Sequence, residues 1–133
     1  MKLMVVFGTR PEVIKLAPVI EAARHLDGIE LLSCSTGQHR QMLDQALACF
    51  GLQADIDLGL MRDNQTLPEL TARLIESLTH TYQQHRPDVV VVQGDTTTAF
   101  AGALAAFYQR IPVAHVEAGL RTGDPYRPFP EEI

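Results

Sequence analysis

The stretch of residues 88–99 places the strongest constraint on the fold. Its four consecutive valines at 89–92 form a short, β-branched apolar run, which is typical of a strand buried on both faces. Such a strand belongs to a parallel sheet with helices on both sides. Gly94 permits a sharp turn, and the alanine-rich residues that follow favour a helix. The stretch therefore predicts a strand, a turn and a helix, with Asp95 at the carboxyl end of the strand, where open α/β sheets bind ligands.

The rest of the chain repeats this alternation of strands and helices. Predicted strands cover residues 3–7, 29–35, 56–58, 89–92 and 113–117, with helices between them. Pro11 suits the first turn of the first helix, with Thr9 or Arg10 at its cap. Alternation of this kind predicts right-handed connections and a Rossmann-like α/β fold, a parallel sheet with helices on both faces. Residues 118–133 contain three prolines and two glycines, and they predict a loop.

Length, charge and cysteine content exclude several classes of protein. A chain of 133 residues suits one small domain. The formal net charge is −5 without a dense basic run, which argues against nucleic acid or an anionic membrane as a partner. No apolar run approaches the roughly 20 residues that cross a bilayer. The two cysteines, Cys34 and Cys49, lack the spacing of a metal site, so we expect reduced thiols and a cytoplasmic location.

Polar residues recur at the predicted carboxyl ends of the strands. They are the triplets Gly8-Thr9-Arg10, Gly37-Gln38-His39 and Gly94-Asp95-Thr96, and the pair His115 and Glu117. Each group also has a purely structural interpretation, which requires no function. Asp95 or Thr96 could be a helix cap, and Gln38 with His39 could be a turn. Because all of the groups fall on one edge of a parallel sheet, together they predict a site there.

The fifth predicted strand carries an ionisable pair. His115 and Glu117 are two residues apart, so regular strand geometry points both side chains the same way. The pair could be catalytic, or Glu117 could form a buried salt bridge with Arg121 or Arg10. Lys15 and the arginines supply cations suited to a diphosphate, although each alone could be a solvated surface charge. The dinucleotide, Walker A and nucleophile-elbow motifs are absent.

Five motifs resemble those of one enzyme family, in order and at matching spacing across the whole chain. They are Gly8-Thr9-Arg10-Pro11-Glu12, Gly37-Gln38-His39, residues 93–98, residues 115–122 and Pro128-Phe129-Pro130-Glu131-Glu132. These motifs are similar to those of the non-hydrolysing bacterial UDP-N-acetylglucosamine 2-epimerases. The resemblance implies a two-domain, glycosyltransferase-B-like fold with the active site between two Rossmann-like domains. Residues 1–133 resemble an incomplete N-terminal domain, without the C-terminal domain that provides most uridine contacts in the family.

The resemblance also implies a reaction. Family members interconvert UDP-GlcNAc and UDP-ManNAc by eliminating UDP to give 2-acetamidoglucal and adding it back, without a metal or other cofactor. It makes Asp95, Glu117 and Glu131 the catalytic carboxylates. It assigns substrate contacts, including those to the phosphates, to Arg10, Lys15, His115 and Arg121. The product would serve cell-surface polysaccharide synthesis.

The resemblance further implies regulation and partners. Gln38, His39 and Gln41 fall where bacterial members bind a second substrate molecule as an activator. Asn64 stands where some members carry an arginine for that contact, which argues against activation here. We expect UDP-GlcNAc and UDP as ligands and a homodimer in the parent enzyme, with no activity in these residues alone. The alternatives are a catalytically silent nucleotide-sugar-binding domain, or half of a related two-domain glycosyltransferase.

Overall fold

The computed structural model describes residues 1–37, 40–126 and 132, and it has a five-stranded parallel sheet. The strands are β1 (Lys2–Phe7), β2 (Glu30–Ser35), β3 (Ile56–Asp57), β4 (Val89–Gln93) and β5 (Val113–Val116). The helices are α1 (Arg10–Arg24), α2 (Arg40–Cys49), α3 (Leu67–His85) and α4 (Thr97–Tyr108). The strand order is β3-β2-β1-β4-β5, and every pair is parallel. The predicted α/β fold is confirmed.

Two apolar layers bury the sheet between helices. On one side, α1 and α2 pack over alternate residues of the central strands, including Phe7 and Val91. On the other side, α3 and α4 pack over the intervening residues, including Val6, Val90 and Val92. Burial of each large apolar side chain stabilises the fold by about 1.5–3 kcal/mol. The valine run of β4 thus faces helices on both sides, which explains its continuous apolar character.

Threonines begin three of the helices at the carboxyl edge of the sheet. Thr9 precedes α1, Thr66 precedes α3 and Thr96 precedes α4, each with an extended backbone. Of the two residues considered for the first cap, Thr9 is the one observed. Pro18 lies inside α1, and the helix continues past it to Arg24. The helix starts therefore follow the local capping signals in the sequence.

The fifth strand differs from the expectation for a buried strand. It ends at Val116, one residue earlier than predicted, because Glu117 has a left-handed backbone with φ of 57°. Val113 and His115 are exposed. Within the described ranges, β5 is hydrogen-bonded only to β4, so its outer side lacks the cover that β4 has. The third strand is also shorter than predicted, since it excludes Leu58.

The two cysteines differ in burial. Cys34 is buried, Cys49 is exposed, and both are free thiols. Burial, together with the charge of Asp57, raises the pKa of Cys34 to about 12.

None of the helices in residues 1–37 and 40–126 combines the length and the hydropathy that a bilayer crossing requires.

Candidate active site

A cavity of about 280 Å³ lies at the carboxyl ends of β4 and β5, beside the first turns of α4. We call it the edge cavity. The polar side chains that line it belong to Asp95, Thr96, His115, Glu117 and Arg121. Residues from two sequence motifs therefore meet in one concave site, at the edge where a parallel sheet is expected to bind ligands.

Asp95 lies on a turn that is fixed from the β5 side. Gly94 has a positive φ of 68°, which glycine adopts without strain. Its N–H donates to the Val116 carbonyl at 2.9 Å, and its own carbonyl lies 2.6 Å from His115 Nε2. Since a carbonyl only accepts, Nε2 carries the proton in this contact. The Asp95 side chain is partly exposed, and no described residue forms a hydrogen bond or ion pair with its carboxylate.

Thr96, and not Asp95, caps α4. Its hydroxyl oxygen accepts a 3.0 Å hydrogen bond from the Ala99 N–H and donates a 2.5 Å hydrogen bond to Glu12. The structural interpretation, in which the residue is a helix cap, is therefore correct for Thr96. Because Asp95 precedes the cap, its carboxylate is available to the edge cavity instead of being used by the helix.

Glu117 turns away from the side predicted for it. Its carboxylate lies 3.4 Å from Lys15 Nζ on α1 and accepts a 2.5 Å hydrogen bond from Gln93 Nε2. His115 instead contacts the turn that leads into α4, which packs on the opposite side of the sheet from α1. The expectation that both side chains point the same way was wrong, since the left-handed backbone at Glu117 ends the strand alternation.

The ion-pair partner of Glu117 also differs from the two partners considered. Lys15 takes the place that Arg121 or Arg10 was expected to fill. The pair is half-exposed rather than buried, with 56% of the Lys15 and 42% of the Glu117 side chain accessible. Water therefore screens the attraction, and the pair adds little to the free energy of unfolding.

Glu12 is a buried carboxylate at this edge that sequence analysis did not single out. Its Oε2 accepts hydrogen bonds from Gly8 N at 2.9 Å, Thr9 N at 2.7 Å and Thr9 Oγ1 at 2.8 Å. Its Oε1 accepts the bond from Thr96. Burial raises the pKa of Glu12, although these hydrogen bonds oppose the rise. The sequence signal was the capping-box spacing of Thr9 and Glu12 directly after a buried strand.

The remaining predicted residues fall in three groups. Arg121 lines the edge cavity, with its Nη1 donating to the Leu120 carbonyl at 2.7 Å. Arg10 and Gln41 are exposed at the starts of α1 and α2, and neither is among the described residues that line the cavity. Gln38, His39 and Glu131 lie outside the described residues.

Glu132, next to one of those residues, holds the loop that follows β5. Its carboxylate accepts hydrogen bonds from the Thr122 hydroxyl at 2.6 Å and the Gly123 N–H at 3.1 Å. Hydrogen bonds from Thr122, followed in importance by the one from Gly123, lower the pKa of Glu132 although desolvation opposes them. Glu132 therefore ties the last sequence motif to the 115–122 motif.

A second concavity, of about 800 Å³, is larger, but none of the predicted site residues that the structure describes lines it. Its lining includes Arg24, Asp44 and Asp55 near the ends of α1 and α2. Arg24 Nη2 lies 3.5 Å from Asp55 Oδ2, which also accepts a 2.6 Å hydrogen bond from Ser33 Oγ. Although burial opposes it, the hydrogen bonds from Ser33 and the Arg24 charge lower the pKa of Asp55. These contacts anchor the segment before β3, so we assign the surface a structural role.

Comparison with known sequences identifies relatives of the whole chain. The sequence model of the UDP-N-acetylglucosamine 2-epimerase family matches residues 21–133. The UDP-N-acetylglucosamine 2-epimerase of Escherichia coli K12 is 55% identical over 132 residues, which are 99% of this chain and 35% of that protein. The Bacillus subtilis enzyme of the same name is 52% identical over 133 residues, again 35% of its length. The chain thus spans about a third of the relatives that it matches.

Solved structures give the same result. The Neisseria meningitidis UDP-GlcNAc 2-epimerase bound to UDP-GlcNAc superposes with a TM-score of 0.94 at 55% identity, over 99% of this chain and 36% of that one. The Methanocaldococcus jannaschii enzyme in complex with UDP-GlcNAc and UDP gives a TM-score of 0.89 at 39% identity, over 95% of this chain and 35% of that one. Fold, motifs and family match agree, and the chain belongs to the UDP-N-acetylglucosamine 2-epimerase family.

Proposed function

We propose that this chain forms the N-terminal, Rossmann-like part of an enzyme that interconverts UDP-GlcNAc and UDP-ManNAc. The proposal rests on family membership and on one observation. A carboxylate without a partner among the described residues, Asp95, and a carboxylate held beside a lysine, Glu117, line the same cavity at the ligand-binding edge of the sheet. The product would supply cell-surface polysaccharides from the cytoplasm. The free thiols of Cys34 and Cys49 are consistent with that compartment.

The reaction explains why carboxylates and cations are needed together. The hydrogen on carbon 2 of the sugar is not next to a carbonyl, so its direct removal is too slow. Elimination breaks the carbon 2–hydrogen bond and the bond from carbon 1 to the UDP oxygen, and it leaves a double bond between the two carbons. A base takes the proton, and UDP leaves as an anion. Re-addition of UDP, with a proton delivered to the other face of carbon 2, gives the epimer.

The residues divide between these tasks. Asp95, Glu117 and Glu131 are the proposed acid/base carboxylates. The cations Arg10, Lys15 and Arg121 stabilise negative charge on the departing diphosphate. His115 lines the edge cavity, with one ring nitrogen already engaged by the Gly94 carbonyl, and is a proposed substrate contact.

The Lys15–Glu117 contact supports this division of labour. The Lys15 ammonium lies 3.4 Å from the Glu117 carboxylate and remains exposed enough to contact a phosphate. A cation and a base that share one edge can act on the two bonds that break together. Gln38, His39 and Gln41 are the proposed contacts of an activating second substrate molecule.

The proposed enzyme needs a second domain across the edge cavity to bind the uridine. We propose that the enzyme is a homodimer, as the family resemblance implies. For experiments we define the completed protein as residues 1–133 joined to the part of the Escherichia coli relative that they do not match. Arrangement of both domains around the reacting bonds supplies most of the transition-state stabilisation. The 133 residues alone are therefore expected to bind UDP-GlcNAc weakly and to turn none of it over.

Conversion of UDP-GlcNAc to UDP-ManNAc tests the proposal. The completed protein, purified from a host without its own epimerase, should equilibrate the two sugars, which nuclear magnetic resonance of the anomeric protons resolves. Glu117→Gln, which keeps the shape of the side chain, should slow conversion by about 10²- to 10⁴-fold. Binding of UDP-GlcNAc without any conversion would favour a silent binding domain and would contradict the proposal.

A further inference from the structure

Two four-residue motifs in this chain have the same local sequence pattern and different environments. Thr9-Arg10-Pro11-Glu12 begins α1, and Thr66-Leu67-Pro68-Glu69 begins α3. In both, the glutamate Oε2 accepts hydrogen bonds from the N–H and hydroxyl of the capping threonine, at 2.7–2.8 Å. The cap itself therefore uses only one carboxylate oxygen. The second motif provides an internal reference for what a capping glutamate does alone.

The two glutamates differ in burial. Glu12 has no accessible surface, whereas Glu69 is exposed. Burying a carboxylate is costly unless hydrogen bonds satisfy it, and a capping glutamate gains nothing from being buried. Each described partner of Glu12 is a neutral donor. The burial of Glu12 therefore serves something other than the start of α1.

The additional contact of Glu12 is the one to Thr96. Glu12 Oε1 accepts a 2.5 Å hydrogen bond from the Thr96 hydroxyl, 84 residues further along the chain. Thr96 follows Asp95 directly and caps α4 through Ala99 N. The same carboxylate thus holds the turn after β1 and the turn after β4 in one arrangement. It acts on the Asp95 turn from the α1 side, opposite the contacts that Gly94 makes with β5.

We propose that Glu12 is a positioning residue that fixes the Asp95 turn through Thr96. The proposal rests on the epimerase function proposed above, because it assigns Glu12 an effect on the catalytic step. A group that sets the position of an acid/base carboxylate changes kcat, while substrate binding by other residues is largely unaffected. A group that only caps a helix changes stability alone.

Shortening the side chain in both motifs separates these roles. Glu12→Asp keeps a carboxylate near Thr9 but withdraws it from Thr96, and Glu69→Asp is the matched control. In the completed protein, Glu12→Asp should lower kcat by about 10- to 100-fold, with KM changed by no more than about twofold. Glu69→Asp should leave both parameters at the wild-type values. Circular dichroism and Tm establish that each variant is folded at the assay temperature.

Substitutions of Thr96 test the same hydrogen bond from its donor side, so the test does not depend on whether Glu12→Asp folds. Thr96→Val removes the hydroxyl and should lower kcat as Glu12→Asp does, while Thr96→Ser keeps the hydroxyl and should recover most of it. The double variant Glu12→Asp/Thr96→Val should be no slower than the slower single variant, because the Glu12–Thr96 hydrogen bond is the contact that both changes remove. Thr96→Val also removes the cap of α4 at Ala99, and that loss should lower Tm. Wild-type kcat in folded Glu12→Asp or Thr96→Val would overturn the positioning role alone. An inactive unmutated completed protein would overturn the proposed function and this inference together.

Discussion

The Nζ atom of Lys15 lies 3.4 Å from the Oε1 atom of Glu117, on the side of the sheet opposite to the one that regular strand alternation assigns to Glu117. The contact exists because β5 ends at Val116 and Glu117 has φ of 57°. A left-handed backbone is unfavourable for a residue with a side chain, and such residues concentrate at functional sites. The strained backbone places the Glu117 carboxylate against the Lys15 ammonium beside the edge cavity.

The backbone of Glu117 can be tested without reference to activity. Glu117→Ala and Glu117→Gly both remove the carboxylate, and glycine also relieves the left-handed strain. We expect Glu117→Gly to be more stable than Glu117→Ala by about 1 kcal/mol in denaturant unfolding of the completed protein. The same pair of changes at Glu30, an exposed residue of β2, should give the opposite order. Equal stability of the two Glu117 variants would contradict a strained backbone.

Loss of the Lys15 charge should change kcat/KM more than it changes the free energy of unfolding. Lys15→Met removes a proposed phosphate contact and should lower kcat/KM by about 10- to 100-fold. Because the Lys15–Glu117 pair is half-exposed, the free energy of unfolding should change by no more than about 1 kcal/mol.

Lys2 is the matched control for Lys15. It forms a similar pair with Glu30 at 3.2 Å, at the opposite end of the sheet. Lys2→Met should leave kcat/KM unchanged and alter stability by a similar small amount. An equal loss of kcat/KM in the two methionine variants would exclude a specific role for Lys15.

The two capping glutamates should respond to pH with opposite signs. Burial raises the pKa of Glu12 above its usual 4.5, so its contribution to stability is present below that value and is lost as the pH rises through the folded-state pKa. Hydrogen bonds from Thr66 lower the pKa of Glu69, so its contribution is present above 4.5 and is lost as the pH falls through the folded-state pKa. Relative to wild type, Glu12→Gln should therefore gain stability as the pH rises, and Glu69→Gln should lose it. Parallel stability curves of the two variants from about pH 3 to 8 would contradict the difference in environment.

The two cysteines should differ in reactivity while both remain reduced. Cys49 is exposed, whereas Cys34 is buried and has its pKa raised to about 12, which suppresses the reactive thiolate. A thiol reagent should modify Cys49 rapidly in the native protein and Cys34 only after unfolding, as mass spectrometry can follow. Without any added reductant, both should react in denaturant. A disulfide between them would contradict the proposed cytoplasmic location.

Local sequence patterns were sufficient for the fold and for part of the site. The valine run of β4 follows from β propensity, and capping preferences narrowed two of the helix starts to Thr9 or Arg10 and to Asp95 or Thr96. Asp95 could be assigned to the carboxyl edge because a strand and a glycine turn precede it. The extent of this agreement reflects a fold in which each element has a clear local signal.

The rest of the site depends on contacts that local patterns do not contain. The direction of the Glu117 side chain follows from the φ angle of one residue, which strand alternation predicts incorrectly. The burial of Glu12 depends on Thr96, 84 residues away, and the nearly identical motif at Glu69 is exposed. Two equivalent local sequences therefore acquire different roles from tertiary structure.

Asp95 is the central acid/base group of the proposed mechanism, and Asp95→Asn in the completed protein tests that role directly. The measurement is deuterium incorporation at carbon 2 of the UDP-sugars in deuterated water, with Tm recorded in parallel. Because Thr96 caps α4, the substitution should leave Tm nearly unchanged. Exchange and epimerisation should slow together by about 10²- to 10⁴-fold. An Asp95→Asn protein that exchanges carbon 2 at the wild-type rate would contradict the account.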